Sequence, residues 1–160
     1  FRASESTFHL IMQAVGRSGR AQLSGRAIIQ TTMPQHYAII DASRQDYQAF
    51  YQSEMQYRRL AKMPPYMYLI QISLSSHDEE KLDDTVATLK DTLVEGLGED
   101  VIVLGPSIPY FQVIKNMHER HLMVKHTNYF RIKPKLITIL RPIIENSSFR
   151  VKINIDPYDI

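Results

Sequence analysis

Apolar residues recur at two different periods along this 160-residue chain. Phe8, Ile11, Met12 and Val15 fall three and four apart, which predicts an amphipathic helix that Gly16 and Gly19 end. The β-branched run over 27–32, ahead of Met33-Pro34, predicts a strand. A short helix is expected over 36–42. Ser43, with Asp46 three residues on, reads as the start of the next helix. That helix carries Tyr47, Phe50 and Tyr51 and stops before Pro64-Pro65, whose rings impose an extended path.

From Tyr66 the period changes. Tyr68, Ile70, Ile72 and Leu74 fall at alternate positions, as a half-buried strand requires. Ser76 and Glu79 have capping-box spacing, and Leu82, Val86, Leu89, Leu93 and Leu97 follow on one helical stripe that Gly96 and Gly98 close. A strand over 101–104 is expected to turn at Gly105-Pro106. Residues 110–114 and 121–125 read as two arms of a hairpin, with His118-Glu119-Arg120-His121 as its polar turn. A second helix is expected from Thr127 or Asn128, with Ile132, Leu136, Leu140 and Ile143 inward, Pro134 in its first turn and Pro142 in its last. Phe149, Val151, Ile153 and Ile155 then alternate with Arg150, Lys152, Asn154 and Asp156 as a one-sided strand. The expected fold is α+β. It is a two-layer βαββαβ sandwich of two helices on a four-stranded sheet, with Arg150 and Lys152 on the open face.

One short stretch carries recognisable chemistry. Gln13 to Arg20 has the form Q-x-x-G-R-x-G-R, with two arginines three apart on a turn where Gly16 and Gly19 allow close approach. Planar guanidinium groups suit a γ-phosphate whose charge spreads over its oxygens as it leaves ATP. The plain alternative is a basic helix end followed by a surface turn. No G-x-x-x-x-G-K-[ST] occurs, so the chain alone is expected to be inactive as an ATPase.

Charge changes the picture more by its distribution than by its total. The net charge is +2, too small for a global field to dictate a nucleic-acid partner. Nine acids and two lysines lie over 78–100, whereas nine Lys/Arg, two acids and three histidines lie over 112–152. Lys115, Arg120, Lys125, Arg131, Lys133, Lys135, Arg150 and Lys152, interleaved with Tyr110, Phe111, Tyr129 and Phe130, form the candidate nucleic-acid surface. The same surface would also suit an acidic peptide. Asp78-Glu79-Glu80 reads as a helix first turn and not as a metal box, and His118 and His121 have no third ligand nearby, so no metal site is expected. Cysteine is absent, and no long apolar run or leader pattern occurs, so a cytoplasmic protein without a membrane partner is expected.

The flanks of the arginine turn carry a family resemblance. Phe1 to Leu10, Gly25 to His36, then Asp46-Tyr47, Phe50-Tyr51, Glu54, Arg58, Met63-Pro64-Pro65-Tyr66, Gly105-Pro106 and Ile155-Asp156-Pro157 follow in order. The series resembles the C-terminal part of the primosomal protein N-prime family, bacterial replication-restart DNA helicases of superfamily 2. It is most specific over 1–66. Ala14-Val15 stands where that family usually has Val-Ala, and Met33 where an aromatic-Asn pair often precedes the proline.

The resemblance implies a piece of a longer, ATP- and Mg-dependent 3′–5′ helicase with zinc bound upstream. Arg17 and Arg20 would be catalytic, and Gln13, Gly16 and Gly19 would lie at the nucleotide. It implies the end of a RecA-like motor lobe over 1–42, a connecting helix and Pro-Pro linker over 43–65, and a DNA- and partner-binding domain over 66–160. That domain would be similar to a small ribosomal protein. Implied partners are forked and single-stranded DNA, the acidic tail of single-strand-binding protein and other primosome proteins. The rival reading is a non-enzymatic nucleic-acid-binding module of ribosomal-protein type.

Overall fold

The computed structural model describes residues 2–18, 26–109, 113–114 and 116–158. The chain divides into two compact units, the first spanning 1–61 with 158–160 and the second spanning 62–157.

The first unit holds α1 (Ala3–Ser18), α2 (Tyr37–Ser43) and α3 (Tyr47–Leu60). The predicted stripe on α1 is buried at Phe8 and Ile11, which pack against Ala38, Ala42 and Phe50. Phe8 stacks on Phe50 with ring centroids 4.2 Å apart. His36 caps α2 by accepting from the Ala38 N–H, and Asp46 caps α3 by accepting from the Ala49 N–H at 2.9 Å. Asp46 itself is thus the cap that the sequence places at Ser43, which instead ends α2. Residues 26–32 form no strand, and Ile28 is 95% exposed. A strand needs a neighbour for its backbone hydrogen bonds, and the described residues of this unit offer helices alone.

The second unit is built from β1 (Tyr68–Ser76), α4 (Glu79–Leu97), β2 (Ile102–Ser107), β3 (Val113–Ile114), β4 (Met117–His126), α5 (Tyr129–Ile144) and β5 (Arg150–Ile155). The strand order is β2-β4-β1-β5, antiparallel throughout, with β3 paired to β4. This is the expected α+β sandwich, and the described part of the expected 110–114 arm, β3, pairs with β4 as a fifth strand off the main path. Ile70 faces Val124, Ile72 faces Leu122, and both pairs join the α4 and α5 stripes in one core. Directly opposed residues of an antiparallel pair project to the same side, so both helices cover that side. No helix of this unit covers the other, open side, although Leu69, Gln71 and Ser73 of β1 and Lys125 of β4 are buried there, and β1 is not the half-buried strand expected.

Several local expectations change. The cap of α4 is Asp78, which accepts from the Lys81 N–H at 3.0 Å, while Ser76 accepts from the Asp78 N–H. Asn128 caps α5, which places Pro134 in the second turn and not the first. The buried stripe of Ile132, Leu136 and Leu140 holds the helix together despite the missing N–H. Residues 118–121 lie within β4 and not in a turn; the turn is at Asn116, whose φ is 59°. On β5 the alternation buries Phe149 and half-buries Val151, but Ile153 and Ile155 are 38% and 43% exposed, because this is an edge strand that α5 barely reaches.

Gly105 does not end β2. It sits inside the strand where the register to β4 shifts between Leu104 and Ser107. Its φ is +103°, and a Cβ there would stand 2.7 Å from the His121 carbonyl oxygen. Backbone cannot retreat as a side-chain tip can. Gly105→Ala is therefore expected to destabilise the second unit by about 2 kcal/mol or more, read as a lower urea midpoint with an unchanged m-value.

Candidate nucleic-acid interface

Gln13, Gly16 and Arg17 lie on the exposed side of the last turns of α1. Gln13 and Arg17 are four residues apart and so share a face. The Ser18 hydroxyl donates to the Val15 carbonyl at 2.8 Å and closes the helix end, where the Arg17 charge favours the dipole. A Cβ at Gly16 would meet nothing within 4 Å, so packing does not explain that glycine. Gly19 and Arg20 lie outside the described residues. The residues present supply guanidinium and amide donors without a phosphate loop, and no cluster of three metal-type ligands occurs among the described residues. They fit the edge of a nucleotide site and not a whole one.

The eight basic candidates fall into separate groups. Arg120 is only 5% exposed. It lies opposite Leu74, on the helix-covered side. Its Nε donates to Asp83 Oδ1 at 2.7 Å, and its Nη2 donates to Glu79 Oε1 at 2.7 Å and Asp83 Oδ2 at 3.1 Å. Its hydrogen bonds to Asp83 and then Glu79 raise its pKa against the cost of burial. This fork clamps β4 to α4 and uses the donors a phosphate would need. Lys125 is 8% exposed, with Nζ 3.8 Å from Met63 Sδ. Burial, and then the charge of Lys62, lowers its pKa. Lys115 lies outside the described residues, as do Tyr110 and Phe111.

Five candidates remain exposed, on two surfaces. Arg131, Lys133 and Lys135 stand on the solvent side of α5, with Phe130 beside them at 73% exposure. Tyr129 is half-buried between Tyr68 and Phe130. Arg150 and Lys152 pair with Ser75 and Ser73 and therefore occupy the open side of the sheet. The open side also carries a polar chain. His121 Nε2 lies 2.9 Å from Glu119 Oε1, and His121 Nδ1 lies 3.0 Å from Gln71 Nε2. Since the carboxylate accepts, Nε2 carries the proton and Nδ1 receives the amide N–H. His118 faces the opposite side and meets Glu79 at 3.3 Å, so the two histidines cannot share a metal.

The segregation of charge along the sequence is thus partly undone by folding. Asp83 and Glu79 of the acidic stretch neutralise Arg120 of the basic one. Conversely Lys81, hidden in the acidic stretch, meets Ser148 next to the basic strand at 3.3 Å. No spacing rule reveals that contact, because it joins residues 67 apart.

The sequence profile of the primosomal protein N C-terminal domain matches residues 59–158. The replication restart protein PriA of Bacillus subtilis is 34% identical over 99% of this chain and 20% of its own length. That of Thermotoga maritima is 36% identical over 88% of this chain and 18% of its own length. The Chlamydia pneumoniae protein of the same name is 33% identical over 98% of the chain and 21% of its own length. The chain therefore spans about a fifth of the curated relatives it matches. Among solved structures, the de novo designed protein Foldit4 superposes on 56% of the chain and 94% of its own, at 17% identity and a TM-score of 0.46. That likeness carries no argument.

Proposed function

The chain belongs to the primosomal protein N C-terminal domain family, and from that premise we propose that it is the C-terminal part of a replication-restart DNA helicase. The whole protein would be a cytoplasmic ATP- and Mg-dependent 3′–5′ helicase that recognises stalled forks and restarts replication by primosome assembly, with zinc held upstream. The observation that carries this reading is the match of nearly the whole chain to proteins named for replication restart. No described helix is long and apolar enough to cross a membrane.

In this reading residues 1–42 are the end of a RecA-like motor lobe. There Arg17 and Arg20 meet the γ-phosphate, and Gln13, Gly16 and Gly19 shape the approach. Residues 43–65 link it to a DNA- and partner-binding domain over 66–160. The exposed Arg131, Lys133 and Lys135, with Phe130 available for stacking, are the DNA contacts on α5. Arg150 and Lys152 are a second set on the open side of the sheet. A carboxylate-rich peptide, such as the tail of single-strand-binding protein, is the other partner this chemistry would accept.

Charge reversal of Arg131, Lys133 and Lys135 to Glu tests the assignment. It is expected to weaken forked and single-stranded DNA binding and to flatten its salt dependence by about one log–log unit per lost phosphate contact. Reversal at Glu95 and Glu99, in the acidic stretch, should leave both unchanged. Fluorescence anisotropy across a salt series reads the slope. An unchanged slope in the basic variant would remove the DNA contacts from α5.

A further inference from the structure

A polar cleft opens where the turn between α5 and β5 meets the start of α4. It is lined by His77, Asp78, Lys81, Ser147, Ser148 and Arg150 among others. Lys81 is held in place. Its Nζ lies 3.3 Å from Ser148 Oγ and 5.5 Å from the centroid of the Phe149 ring. The turn is ordered by Asn146, whose side chain accepts from the Ser148 N–H at 3.0 Å and whose carbonyl accepts from the Phe149 N–H at 3.1 Å. Arg150 is exposed and takes part in no ion pair among the described residues.

Asp78 is the acid in this lining, and one of its carboxylate oxygens is engaged by the Lys81 N–H as the α4 cap. His77 Nδ1 lies 2.8 Å from the Asn116 carbonyl. Because a carbonyl only accepts, Nδ1 carries the proton, and the other ring nitrogen is left for the cleft or for solvent. The lining therefore offers the Lys81 ammonium held at Ser148, the exposed Arg150 and the hydroxyls of Ser76, Ser147 and Ser148 against a single carboxylate, one oxygen of which is already engaged. A ligand that fits is small, anionic and rich in acceptors. Guanidinium, ammonium and hydroxyl donors together match the oxygens of a phosphate group.

We propose that this cleft is a phosphate-binding site, separate from the basic face of α5. The phosphate is either a phosphodiester of a nucleic-acid strand or free phosphate. Only the first source rests on the DNA-contact reading given above.

The test is a titration of the chain with sodium phosphate at constant ionic strength, followed by backbone amide NMR with chloride as the control. Shifts concentrated at Lys81, Ser147, Ser148 and Arg150 are expected. Arg150→Ala should weaken phosphate binding about tenfold, the scale of one charge-assisted hydrogen bond. Ser148→Ala, which removes a hydroxyl from a surface turn, should weaken it less. Anisotropy with oligothymidylate separates the sources. A parallel loss of affinity in Lys81→Ala, a cleft residue outside both proposed sets of DNA contacts, assigns the site to a strand phosphodiester, and an unchanged affinity assigns it to free phosphate. Cleft amides that respond no more to phosphate than to chloride, or respond equally in Arg150→Ala, would overturn the proposal. The α5 charge reversal separates this failure from failure of the DNA reading, because it should leave the phosphate titration untouched.

Discussion

Arg20→Ala in the full-length protein is expected to lower steady-state ATP turnover by about 10³-fold, the scale associated with an arginine that stabilises charge on a transferring phosphoryl group. DNA affinity is expected to change little, because in the proposed reading the residue meets nucleotide and not the strand. Arg17→Ala should lower turnover too. Arg17 sits one turn beyond Gln13 on the exposed side of α1, in no ion pair among the described residues. A structural role would show as lost stability, so the measurement pairs ATPase at saturating DNA with a thermal melt. Turnover within about threefold of wild type would sink the arginine-finger assignment, and a matching fall in Tm would reassign the residue to folding. Arg20→Lys adds a finer reading. A point charge cannot reproduce the planar fork, so lysine should recover little of the lost rate.

How much of this was legible in the sequence depends on the range of the interaction concerned. The stripe of Leu82, Val86, Leu89 and Leu93 and the alternation of Ile70, Ile72 and Leu74 announced their elements, because period and burial are the same fact seen twice. Caps are less legible. Ser76 and Ser43 matched a capping pattern, yet Asp78 and Asp46 took the role, since an ionised carboxylate nearer the first turn is a stronger acceptor for the free N–H groups. The run over 27–32 has strand-like residues but no described partner strand, and propensity alone makes no ladder.

The candidate site was the least legible part. Arg120 and Lys133 look alike in a list of basic residues. One is clamped by two carboxylates from α4 and the other is exposed; strand register turns Arg120 to the helix-covered side, and the helical phase of α5 turns Lys133 to solvent. Register also sends Arg150 to the side of the sheet away from α5, the helix that carries Arg131.

Register is likewise silent about the centre of the first unit, where Glu54 is expected to be the most costly polar side chain to remove. It is 5% exposed, yet it is a carboxylate. The Tyr37 hydroxyl donates to one of its oxygens, and Arg58 Nε donates to the other at 2.6 Å. Arg58 also reaches Glu5 on α1 at 2.9 Å, so one cluster ties all three helices. Glu54→Ala removes the shared acceptor and leaves the Tyr37 hydroxyl and the Arg58 charge to be desolvated without it. A loss of about 3 kcal/mol follows, the lower end for breaking a buried charge pair from one side. Glu54→Gln keeps one good acceptor and should lose about half as much. Amide hydrogen exchange reads the effect by unit, with protection in α1 and α3 falling while β1 and β4 keep theirs.

A pH signature accompanies this loss. Burial first, and the Glu54 hydrogen bond second, push the Tyr37 pKa up to about 12. The folded state thus holds the proton more tightly than the unfolded state, whose tyrosines titrate near 10. The stabilisation is complete below about pH 10 and is lost as pH rises from there through about 12. In Glu54→Gln the Tyr37 pKa should move down toward the ordinary tyrosine value when ionisation is followed by ultraviolet absorbance. Unchanged protection in α1 and α3 together with an unmoved alkaline tyrosine would show that Glu54 merely occupies space between the helices.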